Sequence, residues 1–261
     1  MQPIFKSGRY LFALAVITFG IIQIITANFL SSLFAVPDAL PGRRLFLYFF
    51  SVLFIAGGAG IIISKTSSAA RATGILFFVM LIYPHLPKLI NDIHNGGEWT
   101  VFAETAAFCG GAFIVGVAQS EGFTDPGRRE NIRRTILRSG RFIFAGALLV
   151  FGILHLQYAG YIATLIPHWI PIPLFWSYFV GVAFIAGAAS ILLKIKIRLA
   201  CSLLGFMFLF WVFFVHAPRV MANPYIETEW TSLFVATGFC GIFFTLGADP
   251  NLTNKSWEEN P

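Results

Sequence analysis

Hydrophobic positions along this chain fall in long runs with none of the period-two alternation of strands. Four runs cover 10–30, 45–64, 72–84 and 99–118, and four more cover 142–163, 174–193, 199–215 and 230–246. Most reach or approach the roughly 20 residues that a helix needs to cross a bilayer. In lipid only helices or closed barrels satisfy their own backbone. The runs therefore predict an all-α integral membrane protein with eight transmembrane helices. The third run meets Pro84 and Pro87 near its end and is expected to stop or bend there. Its counterpart at 199–215 is long enough to span, so the third is read as spanning too.

The eight runs form two sets of four that echo each other. Gly8-Arg9-Tyr10 returns as Gly140-Arg141-Phe142, Phe19-Gly20 as Phe151-Gly152, and Phe54-Ile55-Ala56-Gly57 as Phe184-Ile185-Ala186-Gly187. His85-Leu86-Pro87-Lys88 returns as His216-Ala217-Pro218-Arg219, Glu98-Trp99-Thr100 as Glu229-Trp230-Thr231, and Phe108-Cys109-Gly110 as Phe239-Cys240-Gly241. A separation of about 130 residues exceeds any solenoid period, so the pattern reads as a duplicated domain. The expected organisation is a first four-helix bundle at 1–118, a basic linker at 119–139, a second four-helix bundle at 140–247 and a polar tail at 248–261. An even helix number per copy makes the repeats parallel, related by a pseudo-twofold along the membrane normal.

Composition agrees with this picture. Hydrophobic residues make up 57% of the chain and charged residues 11%, against roughly 25% charged in a soluble domain. The few cations are unevenly placed. Lys6, Arg9, Lys65, Arg71, the cluster from Arg128 to Arg141, Lys194, Lys196, Arg198 and Lys255 fall on one side, and only Arg43, Arg44, Lys88 and Arg219 on the other. The positive-inside rule puts both termini and the linker in the cytoplasm, with the plasma (inner) membrane as the expected location. The net charge of +6 is this asymmetry and gives no reason to invoke nucleic acid. The first run is longer than a signal-peptide core and has a retained twin, so it is read as helix 1.

Other features read as structure. Ala56-Gly57-Gly58-Ala59-Gly60 and Gly187-Ala188-Ala189-Ser190 are expected helix-contact faces. Cys109, Cys201 and Cys240 lie in apolar runs without CxxC or metal spacing and read as packing residues. The prolines Pro37, Pro41, Pro167 and Pro171 punctuate the first external connection of each copy, the second of which, with Trp169 and Trp176, suits a shallow interfacial segment. Asp38, Asp92 and Asp125 read as solvated. No nucleophile with a base, phosphate-binding loop or paired catalytic carboxylate is evident, so no enzyme chemistry is assigned.

The candidate chemistry gathers at the outer ends of the third and fourth helices of each copy. In copy two this is His216, Arg219, Glu229 and Trp230, and in copy one His85, Lys88, Glu98 and Trp99. Arg219 can meet Glu229 across a short hairpin, as Lys88 can meet Glu98. Cations near helix C-termini and carboxylates near N-termini also complement the helix dipole, and tryptophan suits the interface, so a structural role explains much of this set. The copies differ in their first helices, where His155 stands in place of Gln23. Facing histidines at 155 and 216 could ligate haem iron, hold a metal or bond the carbonyls of a quinone. No HxxxH spacing or third ligand supports a metal. If a working site exists, it belongs to copy two.

These residues carry a resemblance. Pro167-x-Trp169-Ile170-Pro171 followed by Trp176-x-Tyr178-x-x-Gly181, with the His216-x-Pro218-Arg219…Asn223-Pro224…Glu229-Trp230 run, resembles the DoxX-like family of bacterial membrane proteins. The family's four-helix bundle would occur here in tandem. Its name comes from a subunit resembling part of a thiosulfate:quinone oxidoreductase, so the resemblance implies a quinone and other membrane redox subunits as partners. Many members resemble one another in an acidic residue three places after the second-helix glycine, where this chain has Phe184 and, in copy one, Phe54. A non-catalytic scaffold and a small-solute carrier are the alternative functions.

Overall fold

A computed structural model describes residues 7–31, 33, 36, 41–63, 67–119 and 128–248, without the side chains of residues 128 and 129. Lys6, Pro37, Asp38, Lys65, Asp125, residues 122–127 and the tail beyond Ala248 lie outside the described residues. The described chain is helical with no strand. In order the helices are α1 (Gly8–Thr26), α2 (Arg43–Ile63), α3 (Ser68–Asn91), α4 (Gly96–Gln119), α5 (Arg128–Gln157), the short α6 (Ala159–Leu165), α7 (Pro173–Leu193), α8 (Ile197–Ala222) and α9 (Glu227–Ala248). All but α6 contain a stretch long and apolar enough to cross a membrane.

The helix ends depart from the apolar runs in three places. α5 begins at Arg128, well before its apolar run, so the basic cluster expected in a linker forms the first turns of the helix. Glu130 holds them by pairing with Arg133 at 3.7 Å and Arg134 at 3.1 Å, the spacings that bring side chains together on one helix face. The run at 142–163 is not one helix, because Tyr158, at φ −109° and ψ 27°, divides α5 from α6. The third difference is internal. α3 runs past Pro84 to Asn91, carrying a five-residue π-turn at Leu81–His85, and α8 carries one at Val212–His216. In each, the amide after the histidine reaches back five residues, Leu86 to the Leu81 carbonyl and Ala217 to the Val212 carbonyl. Pro84 has no equivalent in α8, so it is not the common cause. Pro87 and Pro218 are shared: a proline there lacks its N–H and crowds the carbonyl four residues back, and a wider turn relieves the clash.

The helix contacts run around a ring and cross between the halves. α1 packs against α2 and α9, α4 against α3 and α5, and α4 and α9 meet at the centre. These two central helices are the most buried of the candidate spans. The crossings depend on glycine. A Cβ on Gly8 would lie 2.6 Å from the Gly241 carbonyl oxygen, and one on Gly140 would lie 2.8 Å from that of Gly110. Gly8 and Gly140 correspond in the sequence echo, as do Gly110 and Gly241, so each half lends the first helix to the other's last. The α2 glycines make contacts too, Gly58 against α1 at the Ala13 carbonyl and Gly60 against Ala69 of α3.

Phenylalanine fills the centre with one cluster in each half. Phe108 of α4 touches Phe12, Phe19 and Phe77, with ring centroids 5.1 to 5.5 Å apart. Phe239 of α9 touches the corresponding Phe144, Phe151 and Phe208 at 5.1 to 5.9 Å. The two clusters join where Phe108 meets Phe239 at 6.1 Å. Cys109, Cys201 and Cys240 are buried, free thiols in the same core. By contrast, Leu45, Phe49 and Val52 of α2, Phe175, Phe179 and Val182 of α7, and Leu199, Leu203 and Phe210 of α8 are all exposed apolar side chains.

Candidate functional site

The structure divides the residues singled out in the sequence into two groups. One locks the α3–α4 and α8–α9 hairpins. Arg219 donates to Glu229 from Nε at 2.8 Å and from Nη2 at 2.9 Å, a bidentate pair, and its Nη1 donates to the Leu165 carbonyl at 3.2 Å. Trp230 donates from Nε1 to the Pro224 carbonyl at 2.9 Å, and Trp99 does the same to Ile93 at 2.8 Å. These tryptophans close the turn before α9 and the turn before α4, a structural task that accounts for their recurrence. Among the described residues the expected Lys88–Glu98 pair does not form. A lysine ammonium lacks the planar fork with which Arg219 engages both carboxylate oxygens.

The other group faces open space. His155 and His216 both line a cavity of about 730 Å³ bounded by α4, α5, α6, α7, α8 and α9. They also line an adjoining groove of about 570 Å³, where Ser177, Trp176 and Arg219 supply further polar atoms. Exposed Phe179 and Phe210 stand on that groove, so it opens sideways between α7 and α8. The inner cavity also reaches Asn95 and Gly96, where the chain passes from α3 to α4, and Tyr158, whose ring lies against Gly96.

Local structure aims each histidine. The π-turn ends at His216, and such turns rotate a helix face by adding one residue. His216 makes no hydrogen bond among the described residues, and its Nδ1 is buried without a partner. His155 Nδ1–H donates to the Phe151 carbonyl at 2.9 Å, which leaves Nε2 for another partner. Its ring stands edge-on to Phe184 at 5.2 Å.

The corresponding places in the first half are closed. Gln23 is fully buried and accepts a hydrogen bond from Ser51 at 3.0 Å. His85 is also buried and lies against the carbonyl of Leu33. Thr105 donates to the same carbonyl at 3.3 Å. The chain after α1 thus turns inward, with Phe29, Leu30 and Leu33 buried in the core. Ser31 in that segment donates from its hydroxyl to Glu227 of α9 at 2.9 Å. In the second half the matching connection forms α6 and then runs outward, with Trp169 and Ile172 exposed.

One residue of the site was missed in the sequence. Glu104 of α4 projects into the inner cavity from the first half, opposite the second half's histidines. Its signal was available, since an ionisable residue inside a run long and apolar enough to span a bilayer marks a functional candidate by default. Its counterpart in the echo is Val235, so comparing the halves also flags it. Among the described residues no group of three or more His, Cys, Asp and Glu is placed to hold a metal. Comparison with protein-family models, curated proteins and solved structures finds no match.

Proposed function

We propose that this chain is an integral membrane protein holding a quinone-class molecule in its second half. It consists of two parallel DoxX-like repeats interleaved through α4 and α9, with both termini in the cytoplasm of a bacterial cell. The bilayer covers the exposed apolar faces of α2, α7 and α8, and other membrane redox subunits are the partners that the family resemblance suggests. The observation that carries the reading is the pair of cavity-lining histidines, His155 and His216, in a space with a sideways opening between α7 and α8. A lipid-soluble ligand arriving from the membrane would use that opening, and its ring would lie among Phe151, Phe184, Phe208 and Trp211.

The hydrogen bond at His155 refines the ligand's oxidation state. With Nδ1–H committed to the Phe151 carbonyl, Nε2 is an acceptor and takes a hydroxyl group of the reduced, quinol form. His216 has no committed nitrogen and can serve the second oxygen. The test is titration of menadione, oxidised and chemically reduced, into the purified full chain in lipid nanodiscs, followed by tryptophan fluorescence. Trp211 lines both spaces and should be quenched. Saturable binding that is tighter for the quinol, and weaker in both His155→Leu and His216→Leu, is expected. Failure of either form to bind, or binding indifferent to both substitutions, would overturn the reading.

A further inference from the structure

The second-half cavity has a charged wall that the histidine pair does not explain. Glu104 is the ninth residue of α4, so at 1.5 Å per residue it lies about 12 Å below the helix start, at membrane depth. No hydrogen bond or ion pair reaches it from the described residues. Among the described residues no lysine or arginine lines this cavity, where the titratable neighbours are His155, His216, Tyr158 and Tyr161. Arg219 lines only the adjoining groove and is engaged with both carboxylate oxygens of Glu229. The positive end of α4 is already met, because Glu98 stands in its first turn and Asn95 accepts from the Gly97 amide at 2.9 Å. Asn95, Thr100 and Ser232 add neutral polar groups to the lining, and the rest of the second-half wall is largely aromatic. Phe151, Phe184, Phe208, Trp211 and Phe239 line the same space.

A lone carboxylate in an apolar cavity lacks the partner that buried charges need, and aromatic faces attract cations that have shed water. We propose that this cavity also takes a lipophilic cation, an onium or protonated aromatic amine, with its charge at Glu104 and its apolar body among these rings. The proposal goes beyond the quinone reading, sharing its cavity but not its hydrogen bonds. It makes Glu104 a binding residue that the first half contributes to the second half's site.

Binding of tetraphenylphosphonium to the full chain in nanodiscs, measured by equilibrium dialysis, tests it. Saturable binding is expected, weakened about tenfold or more in Glu104→Gln, the loss of one desolvated charge contact. Glu130→Gln, at the other end of the molecule, should bind as the unmodified chain does. Menadione titrated in parallel separates the two readings, because it should still bind Glu104→Gln. If that variant is not recovered folded, the unmodified protein answers instead. A hydrophobic carbodiimide should label Glu104, as read by mass spectrometry, and tetraphenylphosphonium should protect it. No binding of the cation, equal binding by Glu104→Gln, or labelling of Glu104 unaffected by the cation would overturn the proposal.

Discussion

The two halves of this protein place matched residues in matched helices and finish them differently. Among the matched residues of the first half stand Gln23, Ser51 and His85, all buried, with the Leu33 carbonyl against His85. Their counterparts in the second half are His155, Gly181 and His216, with a cavity beside the two histidines. The helix approach is alike in both, since Gly20 lies against the Ser51 carbonyl and Gly152 against that of Gly181. Open space therefore comes not from a different frame but from where one connection goes. The stretch after α1 folds inward onto Thr105 and His85, while the stretch after α5 forms α6 and stays outside. One frame thus holds a half that its own chain fills and a half that keeps an open cavity.

The strongest challenge to this comparison strikes what the halves share. Replacing Gly241 by leucine puts a side chain where a Cβ alone would sit 2.5 Å from the Phe12 amide and 2.6 Å from the Gly8 carbonyl. Backbone cannot yield there without parting α1 from α9. Gly241→Leu and Gly110→Leu should each abolish recovery of monodisperse protein from detergent-solubilised membranes, judged by size-exclusion chromatography. Gly146→Leu is the control, because nothing lies within 4 Å of a Cβ at that position. Equal loss in all three would mean that the crossed contacts have no special role.

A middle-sized effect is expected at the matched carboxylates Glu229 and Glu98, the first of which is held by an arginine. Arg219 holds Glu229 with two hydrogen bonds and reaches the Leu165 carbonyl, tying α8 to α9 and to the end of α6. Its removal leaves a half-buried carboxylate without a partner. Arg219→Ala should cost about 1–3 kcal/mol, below the range for fully buried pairs because this one is partly solvated. Glu98→Ala, which removes the carboxylate matching Glu229 and breaks no ion pair among the described residues, should cost less than about 1 kcal/mol. Thermal unfolding in detergent, read by tryptophan fluorescence, ranks the two. Equal destabilisation would show that the bidentate geometry is irrelevant.

Much of this frame was legible because each long helix carries its own long apolar run. The eight runs located the eight long helices, and the echo paired Phe108 with Phe239 and Gly8 with Gly140 before any geometry was known. Helix partners were not legible. The small residues at Gly110 and Gly241 mark close contacts without naming the helix that makes them, and the partners belong to the opposite halves. The π-turns were hidden because the proline that creates them normally signals a bend or an end. Glu104 was passed over for a different reason: one carboxyl among twenty apolar positions barely changes the pattern of a run. The inward turn of residues 29–33 escaped because apolar residues after a helix read equally well as its last turn or as a plug.

That plug sets up the smallest expected effect. Gln23→His with Ser51→Gly gives the first half the second half's residues at two matched positions. The exchange removes the buried Ser51–Gln23 hydrogen bond, at a cost of about 1 kcal/mol. If the histidine alone made a site, menadiol would bind the double variant with two equivalents per chain. The inward connection argues against it, because Leu33 is buried against Thr105 and His85, the counterparts of cavity-lining Ala236 and His216. The expected stoichiometry in nanodiscs is therefore unchanged. A second equivalent would show that residue identity at 23 and 51, rather than the path of the following chain, separates the filled half from the open one.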